Sequence, residues 1–160
     1  MTDRQDIICH IDELLNVKQF RDYCPNGLQI EGRETIQHIV SGVTASQALI
    51  EAAIEHHADA LLVHHGYFWK NEDPAIVGIK RRRIQALLEN DISLMAYHLP
   101  LDAHPEFGNN VTLAHELGIQ VEGVEQQGSA KGLLWSGRIS STMQAEDFSR
   151  LIEQKLGREP

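Results

Sequence analysis

The pair His64-His65, followed at once by Gly66, and the run His98-Leu99-Pro100-Leu101-Asp102 hold the residues in this sequence best suited to joint chemistry. Imidazole and carboxylate donors suit Zn, Fe, Mn or Ni, whereas Ca and Mg prefer all-oxygen shells. Adjacent side chains on extended backbone point to opposite faces, so His64 and His65 grip a single ion only where the chain bends between them. Two divalent ions ~3.5 to 4 Å apart resolve that geometry: each takes one histidine, and Asp102 completes one centre or reaches both. Gly66 lets the chain leave such a site without a Cβ in the way. His98 and His104 flank Asp102, and three roles are open to them: ligand, orienter of Asp102, or general acid/base beside a metal-activated water. The orienting or acid/base role is preferred, which makes His98 and His104 the expected catalytic residues.

The chain carries nine histidines, and the remainder sort by position. His56-His57 closes a helical segment, where a partly protonated imidazole suits the C-terminal end, and is read as structural. His10, His38 and His115 stand without a companion on helix or strand faces and are set aside. Lys80-Arg81-Arg82-Arg83 reads first as a solvated helix face and second as a cradle for substrate phosphates. Tyr67-Phe68-Trp69 either walls the pocket or packs beneath a loop. There is no phosphate-binding P-loop, dinucleotide fingerprint, nucleophile elbow or Cys-x-x-Cys pair.

These residues need elements to position them. Apolar residues at helical spacing over residues 7–15 predict an amphipathic helix. Cys24-Pro25-Asn26-Gly27 is turn chemistry, leading to a shaped loop with a short strand at 28–30. A β-branched run at 38–43, a helix start at Thr44-Ala45-Ser46 and a helix body at 48–54 form a β-α unit. It is repeated by a strand at 58–63, a helix at 76–89 and a third strand at 92–97. Short apolar strands alternating with helices predict an α/β fold, a mostly parallel sheet covered by helices. Ligands of such sheets bind at the carboxyl ends of the strands, where Thr44, His64-His65 and His98 to Asp102 all fall. Strands ~5 Å apart bring those ends to one cavity. Beyond lie a helix at 109–117 ended by Gly118, a linker-like stretch at 124–132, a strand at 133–139 and a helix at 145–156. The expected organisation is a metal-binding domain over 1–123 and the incomplete beginning of a second α/β unit over 124–160.

A formal charge of −9, from 14 Lys plus Arg against 23 Asp plus Glu, repels phosphate backbones and anionic lipid, so nucleic acid and membranes are poor partners. Two cysteines without a pairing motif fit a reducing cytosol. The first residues lack a signal-peptide pattern, and no apolar run approaches ~20 residues. A cytoplasmic protein is expected.

Four blocks together, Pro25-Asn26-Gly27-Leu28-Gln29-Ile30-Glu31-Gly32, Gly42-Val43-Thr44-Ala45-Ser46, Val63-His64-His65-Gly66-Tyr67-Phe68-Trp69 and His98-Leu99-Pro100-Leu101-Asp102-Ala103-His104-Pro105, resemble one family. It is the GTP cyclohydrolase 1 type 2 family of Nif-three-like dinuclear metal-centre proteins, in its bacterial YbgI branch, and the resemblance spans nearly all of the sequence. It implies metal ligation by His64, His65 and Asp102, two similar α/β units per subunit, and a ring-shaped homo-hexamer. It also implies a further histidine and glutamate, spaced His-x-x-x-Glu, in a C-terminal portion that this sequence does not contain, so truncation is expected. The family's name implies metal-dependent hydrolytic opening of the GTP purine ring with loss of formate, making a nucleotide the expected substrate. The alternative is a non-catalytic ring or interaction protein organised by its metals.

Overall fold

The computed structural model of the chain describes residues 1–126 and 132–160. Contacts divide it into two compact units, Met1–Pro100 and Leu101–Pro160. Residues 101–123 fall in the second of these compact units.

The first unit opens with a short strand β1 (Thr2–Asp3) and helix α1 (Arg4–Leu14). Asp3 caps that helix, its carboxylate accepting the Gln5 N–H at 2.6 Å. A 3-10 turn (Val17–Gln19) leads through a loop to β2 (Gly27–Ile30), β3 (Thr35–Ile36) and β4 (Ile39–Thr44). Helix α2 (Gln47–Glu55) starts at Ser46, whose hydroxyl accepts the Leu49 N–H at 3.2 Å. It ends at His56 and His57, the latter with φ of 51°, as the pair's place in the sequence suggested. Then follow β5 (Ala60–His65), α3 (Gly78–Glu89) and β6 (Ser93–Ala96). The strand expected to stop at Val63 thus runs on to take in both histidines.

The sheet order is β2-β6-β5-β4. β5 is parallel to both neighbours, and the edge strand β2 is antiparallel to β6. Ser93 to Ala96 are all buried, which is what a central strand covered on both faces requires. The core gathers Leu61, Val63, Leu94 and Ala96 from the sheet with Ile50 and Ala53 of α2 and Ile84 and Leu87 of α3. The α/β sheet with helical cover is as the sequence predicted, with one antiparallel edge added. That edge matters, because the amino end of β2, and the loop before it, meets the carboxyl end of β6: Gly27 pairs with Ala96.

The single-turn helix α4 (Leu99–Asp102) crosses the division between the units. The second unit holds α5 (Asn109–Glu116), an antiparallel pair of strands β7 (Ile119–Val124) and β8 (Trp135–Ile139), and α6 (Ala145–Leu156). Val111, Ala114 and Leu117 are its buried side chains. Of the linker-like stretch at 124–132, residues 127–131 lie outside the described residues. Among the described residues no helix is long and apolar enough to cross a membrane.

Candidate metal centre

Parallel register sets the first two side chains of the site. Thr44 at the end of β4 pairs with His65 at the end of β5, and its hydroxyl lies 3.3 Å from His65 Nδ1. His64 turns the other way along the sheet, its Nδ1 3.0 Å from the Tyr97 carbonyl just beyond β6. Each ring is thus tethered to the end of a different neighbouring strand, yet their centroids are only 4.4 Å apart. The divergence expected of adjacent residues on extended backbone is overcome by these tethers. A carbonyl only accepts, so His64 donates from Nδ1, and in the neutral ring its lone pair lies on Nε2.

His98 follows Tyr97 off the end of β6 and joins the pair: its ring centroid is 5.0 Å from that of His64 and 5.6 Å from that of His65. One ring nitrogen from each of the three histidines lies within 4.8 Å of the others, and all three residues are half-buried. Trp69 stands edge-on to His98 at 4.9 Å and tilted against His65 at 5.9 Å. Of the aromatic run, then, Trp69 walls the cluster. Tyr67 is buried, its hydroxyl donating to the Ala45 carbonyl at 2.7 Å, and burial pushes that phenol up to about 12.

Gly66 is required by close approach. A Cβ there would meet the side-chain oxygen of Gln29 and sit 2.8 Å from the Ala96 Cβ. Gln29 lies at a bulge in β2, and the same oxygen accepts the Tyr67 N–H at 2.7 Å. Phe68, next along, has φ of 63°, a left-handed conformation costly for a bulky residue.

Behind His98 is a group that the sequence did not single out. Asp22, its side chain only 3% exposed, places a carboxylate oxygen 2.8 Å from His98 Nδ1. It also accepts from the Leu99 N–H (2.9 Å), the Asn26 amide (2.9 Å) and the Tyr23 N–H (2.6 Å). Asn26 in turn accepts the His98 N–H at 2.7 Å. Burial alone would raise the Asp22 pKa, but the donors of Asn26, His98, Leu99 and Tyr23 outweigh it and hold the carboxyl below its ordinary value. Cys24 completes an Asp22, Cys24, His98 cluster. Its thiol is pushed up to about 11, first by burial and then by the Asp22 charge, so at neutral pH it is no thiolate donor.

The remaining expected residues lie in the second unit. Asp102 ends α4, and its Oδ1 accepts from the Asn109 amide at 2.8 Å. His104 uses Nδ1 to accept the N–H groups of Glu106 (3.2 Å) and Phe107 (3.1 Å), and its ring stacks on Phe107 at 4.8 Å. It serves the turn before α5. In the basic run, Lys80 pairs with Glu72 at 3.3 Å and lies over the Phe68 ring at 5.2 Å. That lysine pins the loop after Gly66.

A cavity of about 620 Å³ lies at the opposite, amino end of the strands, lined among others by Arg33, His38, His57 and Asp59. Size alone would favour it as the site. Its buried carboxylate, Asp59, is already satisfied by the N–H groups of Gln37 and His38 and by Arg33 at 2.7 Å, a structural arrangement.

The sequence matches the Duf34/NIF3 (NGG1p interacting factor 3) family over residues 2–160, and the chain belongs to that family. It is 57% identical over 149 residues to a Pseudomonas aeruginosa protein named GTP cyclohydrolase 1 type 2 homolog, covering 93% of this chain and 59% of that one. It is 52% identical over 150 residues to the Escherichia coli protein of the same name, covering 94% and 59%. Among solved structures, protein ybgI, described as of unknown function, superposes with a TM-score of 0.94 at 49% identity, covering 99% of this chain and 62% of the other. TTHA1606 from Thermus thermophilus does so with a TM-score of 0.84 at 36% identity, covering 99% and 63%. The chain spans about three fifths of the length of these relatives.

Proposed function

We propose that this chain is a dinuclear metal-binding protein that acts as a metal-dependent hydrolase on a nucleotide or similar small molecule. The observation that carries the reading is the approach of the His64, His65 and His98 nitrogens to within 4.8 Å of one another at the carboxyl edge of a parallel sheet. Three imidazoles so close are a donor set for Zn, Fe, Mn or Ni, and as bare bases or as cations they would gain nothing from the crowding. His64 and His65 are the proposed ligands, together with Asp102, four positions along the chain from His98. Divalent ions bound there would supply a Lewis acid and lower the pKa of water to near neutrality. Trp69 would exclude bulk solvent from one side, and His104, or His98 where it does not itself hold the metal, would exchange a proton with substrate. The names of the relatives point to GTP as the first substrate to try. Hexamer assembly and a cytoplasmic location belong to the same proposal.

A second reading, a ring or interaction protein whose metals serve assembly, is favoured by the exposure of Ile76, Val77 and Ile79 on one short stretch. Elemental analysis and turnover separate the two. Protein loaded with Zn²⁺ or Mn²⁺ should release formate from GTP or hydrolyse another nucleotide, and His64→Ala should lose both metal and activity. Metal-loaded protein that is inert across such a panel, but whose oligomer size falls on chelation, would favour assembly. Protein that retains no metal would defeat both.

A further inference from the structure

We infer that His98 is a third metal-binding imidazole and that Asp22 is the residue that positions it, so that residues 1–100 hold a divalent ion with their own ligands. The inference rests on the reading of His64 and His65 as a metal-binding pair.

A carboxylate 3% exposed is costly unless each oxygen is satisfied. Asp22 meets that cost with two backbone N–H groups, the Asn26 amide and the His98 ring. The ionised oxygen only accepts, so the 2.8 Å contact puts a proton on His98 Nδ1 and, in the neutral ring, the lone pair on Nε2. The Tyr97 carbonyl imposes the same tautomer on His64. Two neighbouring rings, 5.0 Å apart, thus both have acceptor-only partners at Nδ1.

That is the arrangement in which a carboxylate or carbonyl behind the ring fixes a ligating histidine and raises its basicity. The backbone is fixed as well, since the His98 N–H donates to Asn26 and the Leu99 N–H to Asp22. Trp69 closes the outer edge of the ring. Ligand nitrogens ~2.0 to 2.1 Å from a tetrahedral zinc ion stand closer together than the 4.8 Å limit seen here, a difference that small ring rotations make up. A third imidazole adds a ligand to the His64 and His65 pair and still leaves room at the metal for water or substrate. An acid/base histidine gains nothing from a second neighbour aimed at the same point. A ligand does.

The test uses the whole 160-residue chain, stripped of metal, with Zn²⁺ and Co²⁺ as probes. Nitrogen-detected NMR of the neutral rings should show His98 as the Nδ1–H tautomer in the unsubstituted chain; an Nε2–H ring overturns the inference without any variant. His98→Gln should abolish the tetrahedral Co²⁺ absorption, and Asp22→Asn should weaken Zn²⁺ binding by ~10 to 100-fold while shifting the His98 tautomer. Asp22→Glu, which keeps the charge, should recover part of the affinity. If His98→Gln leaves Zn²⁺ affinity within twofold while His64→Ala removes it, the third ligand is refuted and the pair survives. If neither variant changes affinity, the pair itself is refuted.

Discussion

His64 and Gly66 show how narrowly single residues define this site. His64 owes its orientation to a backbone carbonyl, that of Tyr97, and not to the Tyr97 side chain, whose hydroxyl points to Asp12 at 2.9 Å. Burial, and then the Asp12 carboxylate, push that phenol well above its usual range, so it remains a donor at any working pH. Tyr97→Phe should accordingly cost about 1 kcal/mol of stability, measured by urea unfolding, yet leave Zn²⁺ affinity unchanged. A loss of metal in that variant would show that the side chain, not the carbonyl, sets the ring. Gly66→Ala drives a Cβ against Gln29 and Ala96. It should destabilise the fold by roughly 1–3 kcal/mol, and unaltered stability would mean that Gln29 swings aside at no cost. The sequence marked Gly66 correctly as a place where a Cβ obstructs, but the obstruction is packing against β2 and β6 rather than the exit path of the chain.

At the scale of elements, the site is a consequence of register. β4 and β5 pair so that Thr44 faces His65, and β5 and β6 so that Tyr97 arrives beside His64. Thr44→Val keeps the β-branched shape of an exposed strand end and deletes only the hydroxyl beside His65 Nδ1. Stability should stay within about 0.5 kcal/mol of the parent. Zn²⁺ affinity should fall by roughly tenfold, read by competition with a chelating dye; equal affinity would remove Thr44 from the site. The alternation of β-branched runs and helical periods was enough to find these strands and their order of appearance. The reach of β5 through both histidines was not visible, because a strand's end depends on which neighbour it can still pair with.

For the molecule as a whole, the two ends of the sheet divide stability from chemistry. At the amino end, Asp59 ties the start of β5 to residues 33–38 through Gln37, His38 and Arg33. Burial opposes its charge, but those two N–H groups and the Arg33 guanidinium hold its pKa below the ordinary value. A carboxyl with a depressed folded pKa contributes stability that is present above its unfolded pKa, near 3.9, and is lost as pH falls through the folded value. Thermal melts of the parent should thus lose stability steeply below about pH 4. Asp59→Asn should be destabilised by ~2 kcal/mol at neutral pH, since it removes the charge that accepts from the Gln37 and His38 N–H groups and from Arg33, and should show a shallower acid limb. Equal acid limbs would assign that loss to other carboxylates.

What the sequence by itself determined was local: the amphipathic helix over 7–15, the helix start at Ser46, the α/β alternation, the family, and the histidine pair with Gly66 at a strand's carboxyl end. Those features rest on spacing within a few residues, which periodicity and capping chemistry expose directly. What only the tertiary structure decided was the company those residues keep. Asp22 lies 76 positions from His98, and nothing in its local sequence singled it out. It reaches the ring because β2 runs antiparallel to β6, which carries the loop before β2 to the carboxyl edge of the sheet. His104, close to His98 in the chain, uses Nδ1 to cap the turn before α5. A residue's type shows what it can donate or accept, but the partner is chosen by long-range strand pairing, and that choice turned a His-His pair into a three-imidazole cluster with a carboxylate behind it.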